Sequence, residues 1–224
     1  TNKNEQHASQ QAEAKKVRER CKKEDDKHEC SFWFVRRESV LNFVAQPDEK
    51  SLPSFQELQN RGGFLVEKTI TRDGAFRASP KDEGILAVSH RWFNPAQPDK
   101  DGLQLHEIKE HLVKHEELKF VWFDYWCMPQ GERTPAEDVA FLHMLKKINW
   151  LYLGCSVLVL MDLSYLSRFW TQFEAWLSFQ KASPDGLQPA AEGERRERSG
   201  GAVGDGALDP TRGARGVRRR RRRR

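Results

Sequence analysis

The sequence predicts an α/β fold: an open parallel sheet with flanking helices over residues 84–181, incomplete, with disordered ends. Three observations predict it. Short apolar runs at 85–89, 120–123 and 157–160 have the character of strands buried on both faces. Segments of helical period lie between and after them. Each run is also followed by a cluster of polar and aromatic residues, at the carboxyl end where open parallel sheets place their sites. Strand and helix alternating at this spacing require right-handed crossovers.

Residues 1–30 are dominated by Lys, Glu, Asp, Gln and Arg, and read as a solvated helix or a disordered lead-in. Residues 31–83 regain apolar patches at Phe32-Trp33-Phe34-Val35 and Phe64-Leu65-Val66. Pro47, Pro53, Gly62, Gly63 and Gly74 keep the elements there short. This segment reads as an extension packing on the domain, with one strand at 64–71. Leu105, Ile108 and Leu112 then recur at helical spacing. Thr134-Pro135-Ala136-Glu137 combines a capping box with Pro at the first helical position. The longest apolar run, 151–161, has 11 residues, where a membrane span needs about 20. It reads as a core strand. Residues 167–181 read as an amphipathic helix with Phe169, Phe173, Trp176 and Leu177 inward.

From 182 onward the composition changes. The last 43 residues lack Lys, Ile and every aromatic, and end in seven consecutive Arg. This reads as a disordered low-complexity tail. The net charge of +5 belongs to it: residues 195–224 hold 12 Arg against three acidic residues, leaving 26 basic and 30 acidic residues in 1–194. Nucleic-acid binding or nuclear localisation would rest on the tail alone. Arg without Lys is equally the signature of GC-rich sequence translated outside its frame. Four scattered cysteines without a CxxC pair predict neither a disulfide framework nor a structural zinc site. A soluble protein of the reducing cytoplasm, with no membrane partner, is the expectation.

The three clusters are Ser89-His90-Arg91-Trp92, Asp124 through Gly131, and Ser164 through Glu174. Ser89-His90-Arg91 resembles the Ser-aromatic-Arg box of TIR domains. Phe123-Asp124 with the loop to Gly131, and Ser164-Tyr165-Leu166-Ser167 followed by Trp170 and Glu174, resemble that family's next two boxes. Asp124, Cys127 and Gln130, with Arg168, Trp170, Thr171 and Glu174, are similar to motifs of heterokaryon-incompatibility (HET) domains. The resemblance spans about 100 residues and implies a divergent, C-terminally truncated relative with a TIR/flavodoxin-like three-layer fold. Gln172 stands one place away from its HET position, and Cys-Met-Pro-Gln matches neither family's usual wording.

The resemblance further implies a signalling domain that self-associates or joins other TIR/HET-like domains, with NAD as substrate and no resident cofactor. Glu174 would be catalytic, stabilising an oxocarbenium-like transition state as nicotinamide leaves. Ser89, Arg91, Asp124 and Trp170 would bind substrate. Each residue also has a plainer reading: Glu174 an exposed helix carboxylate, Arg91 a buried ion-pair partner, Asp124 a turn cap, the tryptophans core. The alternative function is a non-catalytic interaction module of the same fold. Cys127 with His90 or His143 offers a thiol and base, without a protease signature. His111 and His115 have metal-helix spacing without the intervening Glu. The chain has no GxGxxG and no P-loop, which disfavours dehydrogenase and NTPase chemistry.

Overall fold

The structure, a computed structural model, describes residues 3–44, 52–94, 98–162 and 164–190. The amino-terminal half comprises α1 (Lys3–Asp26), β1 (Glu29–Arg36), α2 (Arg37–Asn42), α3 (Phe55–Arg61), β2 (Leu65–Thr71), α4 (Arg72–Phe76) and α5 (Ser79–Asp82). Then follow β3 (Ile85–Ser89), α6 (Leu103–Lys114), β4 (Phe120–Trp122), α7 (Asp124–Cys127), α8 (Pro135–Lys147), α9 (Asn149–Gly154) and β5 (Ser156–Val159). After a short 3-10 turn at Tyr165–Ser167 come α10 (Phe169–Ser178), β6 (Gln180–Ser183) and β7 (Gly186–Pro189).

Five strands form a mixed sheet in the order β2-β1-β4-β3-β5. Strand β3 is central to the parallel part, pairing with β4 from Ile85↔Phe120 and with β5 from Leu86↔Ser156. Every residue of β3 is buried, so both faces of the sheet are covered there. The expected open parallel sheet therefore holds for three strands only. β1 runs antiparallel to β4 and, over a longer ladder, to β2. The segment expected to pack on the domain is instead part of its sheet. Its first strand was hidden because apolar residues occupy both phases of 32–35, which masks the period-2 alternation.

Three other elements depart from expectation. The run 151–161 divides: its first residues continue α9, and the chain extends only from Ser156. Helix α9 approaches α4 at Gly154, where an added Cβ would lie 2.7 Å from Ala75 Cα. Helix α10 meets the expectation only in part: Leu177 is buried and Phe173 packs against the core, but Thr171, Glu174 and Ser178 are also buried while Phe169 and Trp176 stay exposed. Residues 182–190, read as the start of the low-complexity tail, carry most of the β6–β7 hairpin, and Ala190 donates to the Phe179 carbonyl at 2.8 Å. The rest of that tail lies outside the described residues.

Other elements follow the local rules. Thr134 accepts from Glu137 N–H while Glu137 accepts from Thr134 N–H, completing the capping box of α8. Ser54 and Glu57 form a second such box on α3. Leu105, Ile108 and Leu112 bury the inner face of α6. No helix among the described residues is long and apolar enough to cross a membrane.

Gly154→Ala is expected to lower unfolding free energy by about 1–3 kcal/mol, the usual cost of overpacking. Denaturant titration checks this, and an unchanged midpoint would mean that α4 and α9 can separate freely.

Candidate functional site

A cavity of about 150 Å³ opens beyond the carboxyl ends of β3 and β4, lined by His90, Trp92, Asp124, Tyr152, Arg168, Trp170, Thr171 and Glu174. A larger cavity of about 360 Å³ lies elsewhere, between Arg36, Arg37, Glu116 and Lys119. Its charged walls are surface side chains with no buried acid or imidazole, so the smaller cavity is the chemical candidate.

Glu174 sits in the wall of the smaller cavity and is 7% exposed. Ser89 Oγ lies 2.6 Å from Glu174 Oε2 and 2.6 Å from Tyr165 Oη. Tyr165 Oη donates to the Thr171 carbonyl at 2.8 Å. That carbonyl can only accept, so the phenol proton is committed to it. Ser89 has one proton for its two contacts. With Glu174 ionised, Ser89 donates to the carboxylate and its contact with Tyr165 holds no proton. With Glu174 neutral, the carboxyl proton goes to Ser89, Ser89 donates to Tyr165, and all three links are filled. The cage can serve either form, since the Ser89 hydroxyl can donate to the anion or accept from the neutral acid.

Burial decides between the two forms. Burial pushes the Glu174 carboxyl up to about 7. The Ser89 hydrogen bond opposes this, Asp124 adds to it, and His90 and Tyr152 oppose it.

His90 is held the other way. Gln104 Nε2 donates to the Arg91 carbonyl at 2.7 Å, so Gln104 Oε1 faces His90 Nδ1 at 2.8 Å and Nδ1 must carry a proton. His90 Nε2 lies 2.9 Å from Asp124 Oδ1. A neutral ring would turn a lone pair toward that carboxylate, so the imidazolium is the fitting form. Burial works against the charged ring, but Asp124, Glu174 and Gln104 together raise its pKa above the usual value. Trp92 Nε1 and Tyr125 N–H also donate to Asp124, fixing its carboxylate at the cavity. The first turn of α6, which carries Gln104, is capped by buried Asp99, which accepts from Gln104 N–H and Leu105 N–H.

Of the residues singled out from sequence, Glu174, Asp124 and Trp170 line the cavity. Ser89 and Arg91 do not. Ser89 is fully buried behind Glu174 and orients it. Arg91 is locked onto Asp162 by a bidentate ion pair and lies over Phe93, so its guanidinium is committed within the protein. The cavity's cation is Arg168, which makes no ion pair among the described residues and stands at the start of α10. Sequence reading named Arg168 only as part of a motif. Tyr165 was likewise named only within its motif, and Tyr152 was not singled out because it lies far from Glu174 in sequence.

The thiol reading of Cys127 fails. The side chain is wholly buried, its Sγ points to the Val121 carbonyl, and burial pushes the thiol up to about 12. The rings of His111 and His115 stack at 4.2 Å on the face of α6, with His115 bonded to Glu117.

Fold and cavity together define a mixed α/β protein with a buried, cavity-facing carboxylic acid beside an imidazolium–carboxylate pair. Comparison with protein-family models, curated proteins and solved structures returned no match.

A carboxyl whose folded pKa exceeds its unfolded value is stabilising when protonated, and that contribution is lost as pH rises through the folded value. For Glu174 the window runs from 4.5 to about 7. Glu174→Gln, which cannot ionise, is therefore expected to match wild type near the lower end of that window. Above its upper end the variant should be more stable by about 1–3 kcal/mol. Denaturant melts across this range measure the difference; a gap independent of pH would show that Glu174 titrates normally.

Proposed function

We propose that the cavity cleaves the N-glycosidic bond of a pyridine dinucleotide, releasing nicotinamide and ADP-ribose, within a TIR/HET-like signalling domain that self-associates. The observation that supports this most is a buried acid at the wall of a ring-sized cavity. A cavity of about 150 Å³ accommodates a benzene-sized ring. Trp92 and Trp170 supply aromatic walls, and Arg168 is placed to meet a phosphate.

Nicotinamide leaves as a neutral molecule and needs no proton from the enzyme. The bond from ribose C1′ to the ring nitrogen breaks with its electron pair going to nitrogen, and water supplies the new C1′–O bond, losing one proton. Positive charge develops on the ribose, so the working form of Glu174 is the anion. Ser89 and Tyr152 would hold that anion in place, and the His90–Asp124 pair would orient water or a ribose hydroxyl.

A second reading, a non-catalytic interaction module, is supported by the outer face of α10. Phe169, Phe173 and Trp176 stack along it, at 6.0 and 5.7 Å between successive rings, and Trp170 stands beside them. Such a face suits a second copy of the chain.

The deciding measurement is nicotinamide release from NAD by purified protein, in dilute buffer and under oligomer-promoting conditions. Wild type should turn over with a rate that rises as pH passes through about 7. Glu174→Ala should lose roughly 10²-fold or more in kcat. Arg168→Ala should raise KM about 10-fold with less change in kcat, as removal of one charged contact does. No release from folded protein in either condition would leave the interaction reading standing.

A further inference from the structure

A second cluster of chemically capable side chains lies away from the cavity, where α1, β1 and α8 meet. Glu24, Cys30 and His143 are all buried there, and one potential ligand atom from each lies within 4.8 Å of the others. Glu24 Oε2 is 2.8 Å from His143 Nε2. Cys21, one turn before Glu24 on the same face of α1, is buried and lines the same small cavity as Glu24 and His143. Two thiols and a carboxylate from one stretch of chain, residues 21–30, thus meet an imidazole supplied by α8.

We propose that Glu24, Cys30 and His143, with Cys21 as the fourth ligand, form a zinc site that pins α1 to the body of the protein.

The donor set suits zinc, which takes sulfur, imidazole nitrogen and carboxylate oxygen in tetrahedral sites. Thiols are weak hydrogen-bonding groups, and Cys30 Sγ makes only a long bond to the Ser31 carbonyl at 3.7 Å, which leaves the sulfur available to an ion. Two thiolates and one carboxylate exceed the ion's charge by one, and Lys147, 3.3 Å from His143 Nε2, brings a cation that it shares with Asp25. The surroundings resemble the outer support that metal ligands need. His143 Nδ1 is 3.9 Å from Asp25 Oδ2, and Glu24 accepts from Ser31 Oγ and Ser31 N–H. Lys147 itself is fixed by Asp25 and the Glu29 carbonyl.

The site also answers what docks α1. A helix of 24 residues would normally be held by an apolar stripe, and α1 has none: it buries only Ala14, Cys21 and Glu24. Two of those three are proposed ligands. Zinc–ligand distances of about 2.0–2.2 Å place tetrahedral nitrogen and oxygen about 3.4 Å apart, so Glu24 and His143 would separate by roughly half an ångström as the ion replaces their shared proton.

The test uses the full chain, reduced and purified without chelator. Metal analysis should find about one zinc per chain, as a closed tetrahedral site holds. Cobalt exchanged into the protein should give tetrahedral d–d bands and a thiolate-to-cobalt charge-transfer band. Cys30→Ser should weaken that band and His143→Gln should weaken binding, whereas Cys155→Ser, a buried cysteine elsewhere, should keep both. Zinc removal from the wild type should increase amide exchange across α1 and leave β3 protected, a readout that needs no variant to fold. Folded, reduced protein that takes up no cobalt would overturn the site. So would a cobalt spectrum indifferent to Cys30→Ser, or a native Cys21–Cys30 disulfide. None of these readouts depends on NAD cleavage.

Discussion

Strand β3 is the constraint on which the rest of this structure depends. It is paired on both edges and covered on both faces, so its five residues have no freedom to adjust. The three residues at and beyond its carboxyl end then lead in different directions. Ser89 turns to Glu174 on α10, His90 to Asp124 and Gln104, and Arg91 to Asp162. Each of these contacts joins the strand to a different loop or helix. A rigid strand end distributing polar side chains in this way gives the cavity its shape without any help from a long loop.

The same arrangement sets the charge states. Glu174 is buried and faces a second carboxylate at Asp124, and these together outweigh the hydrogen bonds from Ser89 and Tyr152, so it tends to stay neutral. Asp124 instead has an imidazole and an indole donating to it. Two carboxyl groups at one cavity thus stand in different surroundings, one buried and pushed up, the other held by several donors. Ionising Glu174 works against its burial, which is the stability cost of holding a reactive group in a dry wall.

Helix α10 shows how this polar cage overrides a simple amphipathic rule. Apolar residues normally face inward because water is expelled from their surface. Here the inward face meets Ser89, Tyr152 and Tyr165, so the side chains that satisfy them, Thr171 and Glu174, take it. Phe169 and Trp176 are left outside, stacked on Phe173, while Leu177 packs inward as its pattern implies. The hydrophobic pattern misplaced those two aromatics because it carries no information about what the opposite surface presents.

What the sequence determined by itself was local and periodic: the three parallel strands, the capped start of α8, the inner face of α6, and the position of polar clusters at strand ends. These follow from side-chain period, backbone capping and apolar runs, all readable within a dozen residues. Glu174, Asp124 and Trp170 were singled out by the resemblance that the strand-end clusters carry. Tertiary structure alone decided the rest. It added the antiparallel strands from the N-terminal segment, gave Arg91 to Asp162, and brought Arg168 and Tyr152 to the cavity. It also brought Glu24 and Cys30 beside His143, more than a hundred residues later in the chain. Those outcomes depend on which surfaces meet through space, and no local spacing encodes them.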